Sequence, residues 1–470
     1  MIYGCSFLII VNITKPKFYK MSFKPTTSKK HYHLFDEEQI DHMYFDISPA
    51  GEIDANKYSL YNFTGDPKLE YAEWDSRMDM MNSWFSDMKT NERFLYERES
   101  INGSKVVSKI IDPVTKEVRE MLNFASNDYL NLTQDPRVLE KVTAIAPYYG
   151  AGAGGVPLLS GSMNIIKQLQ EKIAEMKGME QAIVYSSGYG ANIGTISGLL
   201  GHRDVAIYDM FAHASLIDGS KGSNKKFFSH NDPASLEKVL KNIQNKYINK
   251  LVVVDGVYSM DGDICNLPEI LDIAHYYGAW VLVDEAHATG VIGKTGKGTL
   301  EHFGLEGKVD IITGTLSKAV GSVGGYVAAS SRLINYLKYT SRSYMFSTSP
   351  FIGSVVSSLE ALNLISNQEA GMDKLWENIH YVKNKLLKAG FNIGNAETAI
   401  FPIIIGDDNK VKEMTYRLHL KNIFVNPVPY PAVPRKLTRV RMTITAGFSI
   451  EQLDYTLNQI EEIGKELNII

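Results

Sequence analysis

The 470-residue chain is poor in cysteine, with only Cys5 and Cys265. Two thiols cannot build a disulfide framework or a four-thiolate zinc site, so a reducing, cytoplasmic compartment is expected and no metal is expected. Long apolar runs are also missing. The stretch around Phe7 to Val11 is far shorter than the roughly 20 residues a spanning helix needs. It has neither a basic leader nor a small-residue cleavage site, which argues against a signal peptide. Because Met21 opens a more ordinary polar segment, the first 20 residues read as an extended gene call or a disordered leader. No charge sign dominates: Lys+Arg 49 against Asp+Glu 53 gives a net charge of -4. A broadly basic nucleic-acid surface is therefore not expected. There is no GxxxxGK[ST] run, so the DEAH at Asp284 to His287 does not read as a helicase motif. Internal repeats and low-complexity tracts are absent too.

What is present is ordinary globular composition, 44% hydrophobic and 22% charged, in a length that suggests about three domain-sized units. Residues 1–118 form a polar, Tyr- and Met-rich extension. Within it, Asp66-Pro67 looks like a helix cap followed by proline at the first helical position. Trp74, Met78, Met81, Phe85 and Met88 then recur at helical spacing. The plain reading is a stripe packed on the main body. The sharper reading is a Met-rich lid over an acyl chain, since Met surfaces repack easily.

Residues 119–362 alternate strand and helix patterns. LVVVD (Leu251 to Asp255), WVLVD (Trp280 to Asp284) and DIITGT (Asp310 to Thr315) are short apolar runs. Between the first two, Ile270, Leu271, Ile273, Ala274 and Tyr277 make one helical face closed by Gly278. That order predicts an α/β fold with a mostly parallel, buried central sheet. Residues 363–470, with the apolar run Ile400 to Ile405 and an amphipathic helix near Glu451 to Leu467, predict a smaller α+β C-terminal domain.

Open α/β sheets bind ligands outside the carboxyl ends of their strands. Here those ends carry DGVYSMDG, DEAHATG and TLSKAVGSVGG. An acid and a lysine delivered together suit pyridoxal 5'-phosphate (PLP). Its aldehyde forms a Schiff base with a lysine, and its pyridine nitrogen needs an acidic partner. Lys318 and Asp284 fit those roles. Ser186-Ser187-Gly188-Tyr189, between an apolar run and a helical pattern, makes an anion cradle for the phosphate, with Thr315 and Ser317 as neighbours.

Together with NFASNDYLNL, GAGAGGVPLLSG, HASLIDG, FFSHND and FSTSP, these motifs resemble the α-oxoamine synthase family of fold-type I PLP enzymes, over about residues 119 to 465. Members include serine palmitoyltransferase, 8-amino-7-oxononanoate synthase, glycine C-acetyltransferase and 5-aminolevulinate synthase. The resemblance implies that His213 stacks on the cofactor ring and that Ser259 and His287 hydrogen-bond its 3-oxygen. It implies phosphate contacts from Ser187, Gly188, Tyr189 and Thr315. Thr348 would be donated by a neighbouring subunit, hence a homodimer with shared sites. Asn127 lies near the substrate, and Arg441, with Arg439 as runner-up, grips its carboxylate. His213, Asp284, His287 and Lys318 are the implied catalytic set. The implied reaction joins an L-amino acid to an acyl thioester, on coenzyme A or a carrier protein, and releases CO2.

The chain departs from the family at Pro157, at Ile166 and Lys167, at Asn131 and at Ala446-Gly447-Phe448, which touches substrate choice rather than the cofactor. The Pro-rich Asn426 to Arg441 resembles serine palmitoyltransferases and glycine C-acetyltransferases. The first expectation is therefore a serine palmitoyltransferase-like, sphingolipid-type or sulfonolipid-type enzyme, with peripheral membrane contact left open. The alternatives are 8-amino-7-oxononanoate synthase, glycine C-acetyltransferase and, from another class, a PLP aminotransferase.

Overall fold

The computed structural model describes residues 60–64, 73–91 and 94–470; the first 20 residues and Asp66-Pro67 lie outside them. Along the chain, β1 (Val107–Ile111) and β2 (Val118–Asn123) form an antiparallel hairpin. Then come β3 (Gln181–Tyr185), β4 (Val205–Asp209), β5 (Asn224–Phe228), β6 (Lys250–Asp255), β7 (Trp280–Asp284), β8 (Ile311–Thr315) and β9 (Gly325–Ala329). The C-terminal part adds β10 (Ile400–Ile404), β11 (Ile423–Phe424), β12 (Asn426–Val428) and β13 (Arg439–Thr443).

Strands β3 to β9 make one seven-stranded sheet in the order β3-β9-β8-β7-β6-β4-β5. The pairs β5–β4, β4–β6, β6–β7 and β7–β8 are parallel, while β9 runs antiparallel to both of its neighbours. Why these runs are strands follows from their burial. Alternate residues of β6 and β7 point to opposite faces, as the two-residue strand period requires. Val252, Val254, Val281 and Val283 enter the core on one face. Leu251, Val253 and Leu282 enter the core on the other. A strand covered on both sides reads as a continuous apolar run, which is how LVVVD and WVLVD appear in the sequence. The intervening helix is Leu267–Tyr276, and Gly278 beyond it takes φ +64°, a left-handed conformation that costs glycine little.

Because β3, β4, β6, β7 and β8 all point one way, residues that follow them gather at a single sheet edge. A second sheet, β10-β13-β12, is antiparallel and carries Arg439 and Arg441 on its central strand. A third joins β1 and β2 to β11. We propose the large unit as residues 119–362 and the smaller as 363–470; the helix Ile352–Ser366 bridges them.

In the N-terminal extension, Trp74–Thr90 is a helix. Trp84 and Met88 are buried with Phe63 and Phe94, and Met80, Met81 and Phe85 pack against them. Trp74 and Met78, expected on the same buried stripe, are 81% and 53% exposed. The small cluster engages the helix only from Met80 onward.

Candidate active site

A pocket of about 270 Å³ opens at the carboxyl edge of the large sheet. Its lining comes from turns that are far apart in sequence, among them Ser187, Gly188 and Tyr189 after β3, His213 after β4, Asp284 and His287 from β7, and Thr315 and Lys318 from β8.

Asp284, at the end of β7, is 3% exposed. Both of its oxygens are held: Asn192 Nδ2 donates to Oδ2 at 2.7 Å and the Ala286 N–H donates to Oδ1 at 2.9 Å. Asn192 also donates to Ser215 Oγ at 2.9 Å, and Ser215 Oγ lies 2.7 Å from His213 Nδ1. His213 caps the short helix Ala214–Gly219, accepting the Ser215 N–H, while its own N–H donates to Asp255 Oδ2 at 3.0 Å. One polar chain therefore fixes the rotamers of Asp284 and His213 together. Burial lowers the His213 pKa, Asp284 opposes that shift, and the Lys318 charge adds to it. Burial also holds the Asp255 carboxyl well above its usual range, and the Asp284 charge pushes the same way.

Lys318 lines the pocket and is partly exposed there. Burial of its amine lowers its pKa to about 8, against the attraction of Asp284 and Asp255; Arg441 adds to the lowering. Such an amine is largely unprotonated in mildly alkaline solution, which a nucleophile toward an aldehyde requires.

The helix Gly188–Leu199 points its N-terminus at the pocket, and Ser187 caps it by accepting the Gly190 N–H at 2.9 Å. A Cβ at residue 188 would sit 2.9 Å from the Thr315 side chain, so only glycine permits this approach of helix and strand. Thr315 Oγ1 donates to the Gly324 carbonyl and lies 2.8 Å from Ser317 Oγ. Free N–H groups, a helix dipole and hydroxyls converge as an anion requires. Tyr189 is 45% exposed and its hydroxyl donates to Asp218.

The remaining expected residues lie in several different surroundings. His287 is buried and pairs through Nδ1 with the Tyr129 hydroxyl at 2.6 Å. Burial, reinforced by Lys318, Arg441 and His213, keeps it neutral by holding its pKa well below the usual value. Arg441 Nε donates to the Ser259 carbonyl at 2.7 Å and its NH2 to Asn127 Oδ1 at 3.1 Å. Arg441, Ser259 and Asn127 thus form one cluster beside the pocket lining, and Tyr129 joins it to His287, its hydroxyl also lying 3.4 Å from Asn127 Oδ1. Arg439 is fully buried and committed to Asp261 at 2.7 Å and to the Met260 carbonyl at 2.8 Å. Thr348 is exposed and does not line this pocket.

Sequence reasoning missed Asn192, Ser215, Tyr129 and Asp255. Ser215, Tyr129 and Asp255 sit inside quoted motifs, HASLIDG, NFASNDYLNL and DGVYSMDG, and Asn192 follows the quoted Ser186-Ser187-Gly188-Tyr189 turn by three residues. Their place at or just after the ends of strands, beside residues already singled out, was the available signal. Asp255 ends β6 just as Asp284 ends β7, and the two are paired in register.

An acid held by two donors, an amine with a lowered pKa and a helix-terminal anion cradle match the three demands of PLP. The comparisons with known proteins agree. The model of the family described as aminotransferase class I and II matches residues 119–460. An 8-amino-7-oxononanoate synthase of Thermoanaerobacter pseudethanolicus is 43% identical over 354 residues, covering 75% of this chain and 90% of that protein. That of Bacillus subtilis is 37% identical over 393 residues, covering 83% and 100%. Among solved structures, the serine palmitoyltransferase of Sphingomonas wittichii superposes with a TM-score of 0.80 at 30% identity, covering 85% of this chain and all of that one. A further serine palmitoyltransferase structure, solved with PLP, gives a TM-score of 0.80 at 28% identity over the same shares. With its fold-type I architecture and PLP as its cofactor, the chain belongs to the α-oxoamine synthase family of PLP-dependent C-acyltransferases.

Proposed function

We propose that this chain condenses a small L-amino acid with an acyl thioester, releasing CO2 and a free thiol, in the manner of an 8-amino-7-oxononanoate synthase. The curated relatives at about 40% identity support this reading. It replaces the serine palmitoyltransferase-like first expectation, which rested on the Pro-rich segment. The structural likeness to serine palmitoyltransferases supports the shared fold and cofactor, at lower identity. The product named in the curated relatives carries its amine on the penultimate carbon, beside a ketone. That arrangement follows from joining alanine to an acyl chain with loss of the carboxyl, so alanine is the first amino acid to test.

The observation that carries the reading is the placing of Asp284 and Lys318 in one pocket whose polar groups are already held. When bound, PLP supplies an electron sink for the amino acid's Cα. Lys318 would hold its aldehyde, Asp284 its ring nitrogen, and the turn at Ser187, Gly188, Tyr189 and Thr315 its phosphate. His213 would cover its ring, and His287 would contact its 3-oxygen, with Ser259 assigned the same contact by its motif. The chain's own steps are then proton transfers and orientation. The Lys318 amine, with its pKa near 8, takes and returns the Cα proton. Neutral His213 hydrogen-bonds the carboxylate or the thioester carbonyl. Arg441, steadied by Ser259 and Asn127, receives the amino-acid carboxylate through a planar fork. Arg439 acts behind it as a clamp on Asp261.

We further propose a homodimer in which Thr348 reaches the partner's phosphate; its exposure on this chain supports that role. The compartment proposed is cytoplasmic. Among the described residues, no helix is long and apolar enough to cross a membrane. A screen of alanine, glycine, serine and cysteate against acyl thioesters on coenzyme A and on a carrier protein, read by thiol release, tests the substrate reading. Alanine is expected to give the highest kcat/KM. Preference for serine with palmitoyl thioester would return the assignment to the first expectation.

A further inference from the structure

The Lys318 pocket is small and polar for all that the reaction must bring together. Its roughly 270 Å³ falls just below the usual range of ligand-site volumes, about 300–1,000 Å³, and the cofactor and amino acid claim it first. An acyl chain needs room elsewhere. A second cavity of about 520 Å³ lies between the N-terminal helix and the Pro-rich segment. Phe85, Met88 and Phe94 supply one side, Val428 and Ala432 another, and Met260 lies between.

Two facts tie this groove to the site. Met260 directly follows Ser259, whose carbonyl accepts Arg441 Nε, and its own carbonyl accepts Arg439 NH1. Val428 belongs to β12, which pairs with β13 so that Val428 faces Arg439 and Asn426 faces Arg441. Two lining residues of the groove, Met260 and Val428, are therefore tied directly to Arg439, one by a hydrogen bond and one by strand pairing. Its lining is mostly apolar, and its methionines tolerate chains of different length.

We infer that this groove receives the hydrocarbon part of the acyl thioester, so that the N-terminal extension sets acyl-chain length. The inference rests on the proposed condensation. It places the extension in substrate selection; the family model itself matches only from residue 119, while the likeness to the Bacillus subtilis relative and to the serine palmitoyltransferase structures reaches back into the extension.

The test uses the full-length holoenzyme with Ala432→Trp, which fills the groove from an exposed position, and Phe85→Ala, which enlarges it. Thioesters run from acetyl to palmitoyl, with ω-carboxy acyl thioesters of matched length as a second arm. Calorimetric binding of the corresponding thioether analogues gives a readout independent of turnover. For whichever arm the wild type accepts, Ala432→Trp should raise KM and Kd at least tenfold for the longer chains and leave acetyl unchanged. Phe85→Ala should shift the preferred length upward. The amino-acid-induced change in the visible spectrum should stay as in wild type, which shows a folded, loaded site. Equal effects of Ala432→Trp on short and long chains, or none, would overturn the inference; the second result would point to a segment of the chain itself as the groove's occupant. Failure of the wild type to release thiol from any donor would instead overturn the proposed condensation.

Discussion

In the proposed reaction the chemistry turns on Lys318, and its surroundings set the pH at which it can act. Burial brings its amine to about pH 8, below the ordinary lysine value. The rate at which PLP develops its protein-bound visible band on addition to apoprotein should therefore rise with pH up to about 8 and level off above it. Lys318→Ala should give no band that survives borohydride reduction and denaturation. A reducible attachment at another lysine would contradict the assignment. Asp284 depends on a neighbour the motifs did not single out. Asn192→Leu removes its 2.7 Å hydrogen bond. Hydrogen bonds to charged groups contribute about 1.5–3 kcal/mol, so a loss of roughly ten- to a hundredfold in kcat is expected. PLP should still bind, which spectral titration checks. Unchanged kcat would show that the Ala286 N–H alone suffices.

Elements matter because each carries one residue to the common edge, and one cluster locks two of them. His230 lies between Asp209, at the end of β4, and Asp263, beyond β6, at 2.9 and 3.0 Å. Tyr258, next to Ser259, donates to the other Asp209 oxygen at 2.9 Å. Burial alone would lower the His230 pKa, but the hydrogen bonds and charges of Asp209 and Asp263 raise it to about 10. A histidine whose folded pKa exceeds its unfolded value of 6.5 stabilises the fold fully below that value. The contribution is lost as pH rises through the folded one. Denaturant midpoints should thus fall between about pH 6.5 and 10, and His230→Gln should flatten that slope. An equal slope in the variant would place the alkaline loss in another group.

The elements were also where the sequence was most legible. LVVVD, WVLVD and DIITGT became β6, β7 and β8 because double burial leaves a continuous apolar run. Asn131, a departure from the family's glycine, sits at φ +57°, a conformation asparagine tolerates. Phe448, another departure, stacks on Phe124 at 4.1 Å and serves the core. The exposed half of the Trp74–Thr90 helix was not legible, since periodicity gives a face and not its partner. The Asn192–Ser215–His213 chain was hidden for a similar reason. Its key link joins Asn192 to Ser215, 23 residues on, and no local pattern encodes that contact.

For the whole molecule, the parallel sheet brings Ser187, His213, Asp284 and Lys318 to one edge. The antiparallel sheet sets Arg441 beside Ser259. The N-terminal extension contributes an apolar groove against β12, the strand paired with the one that carries both arginines. The central claim is that this assembly joins an amino acid to an acyl group with loss of the carboxyl carbon. The direct measurement is CO2 and thiol release together, using carboxyl-labelled alanine and an acyl thioester. Equal amounts of labelled CO2 and free thiol, both abolished in Lys318→Ala, are predicted. Thiol release without CO2, or transfer of the amine to a keto acid with the carboxyl retained, would contradict it.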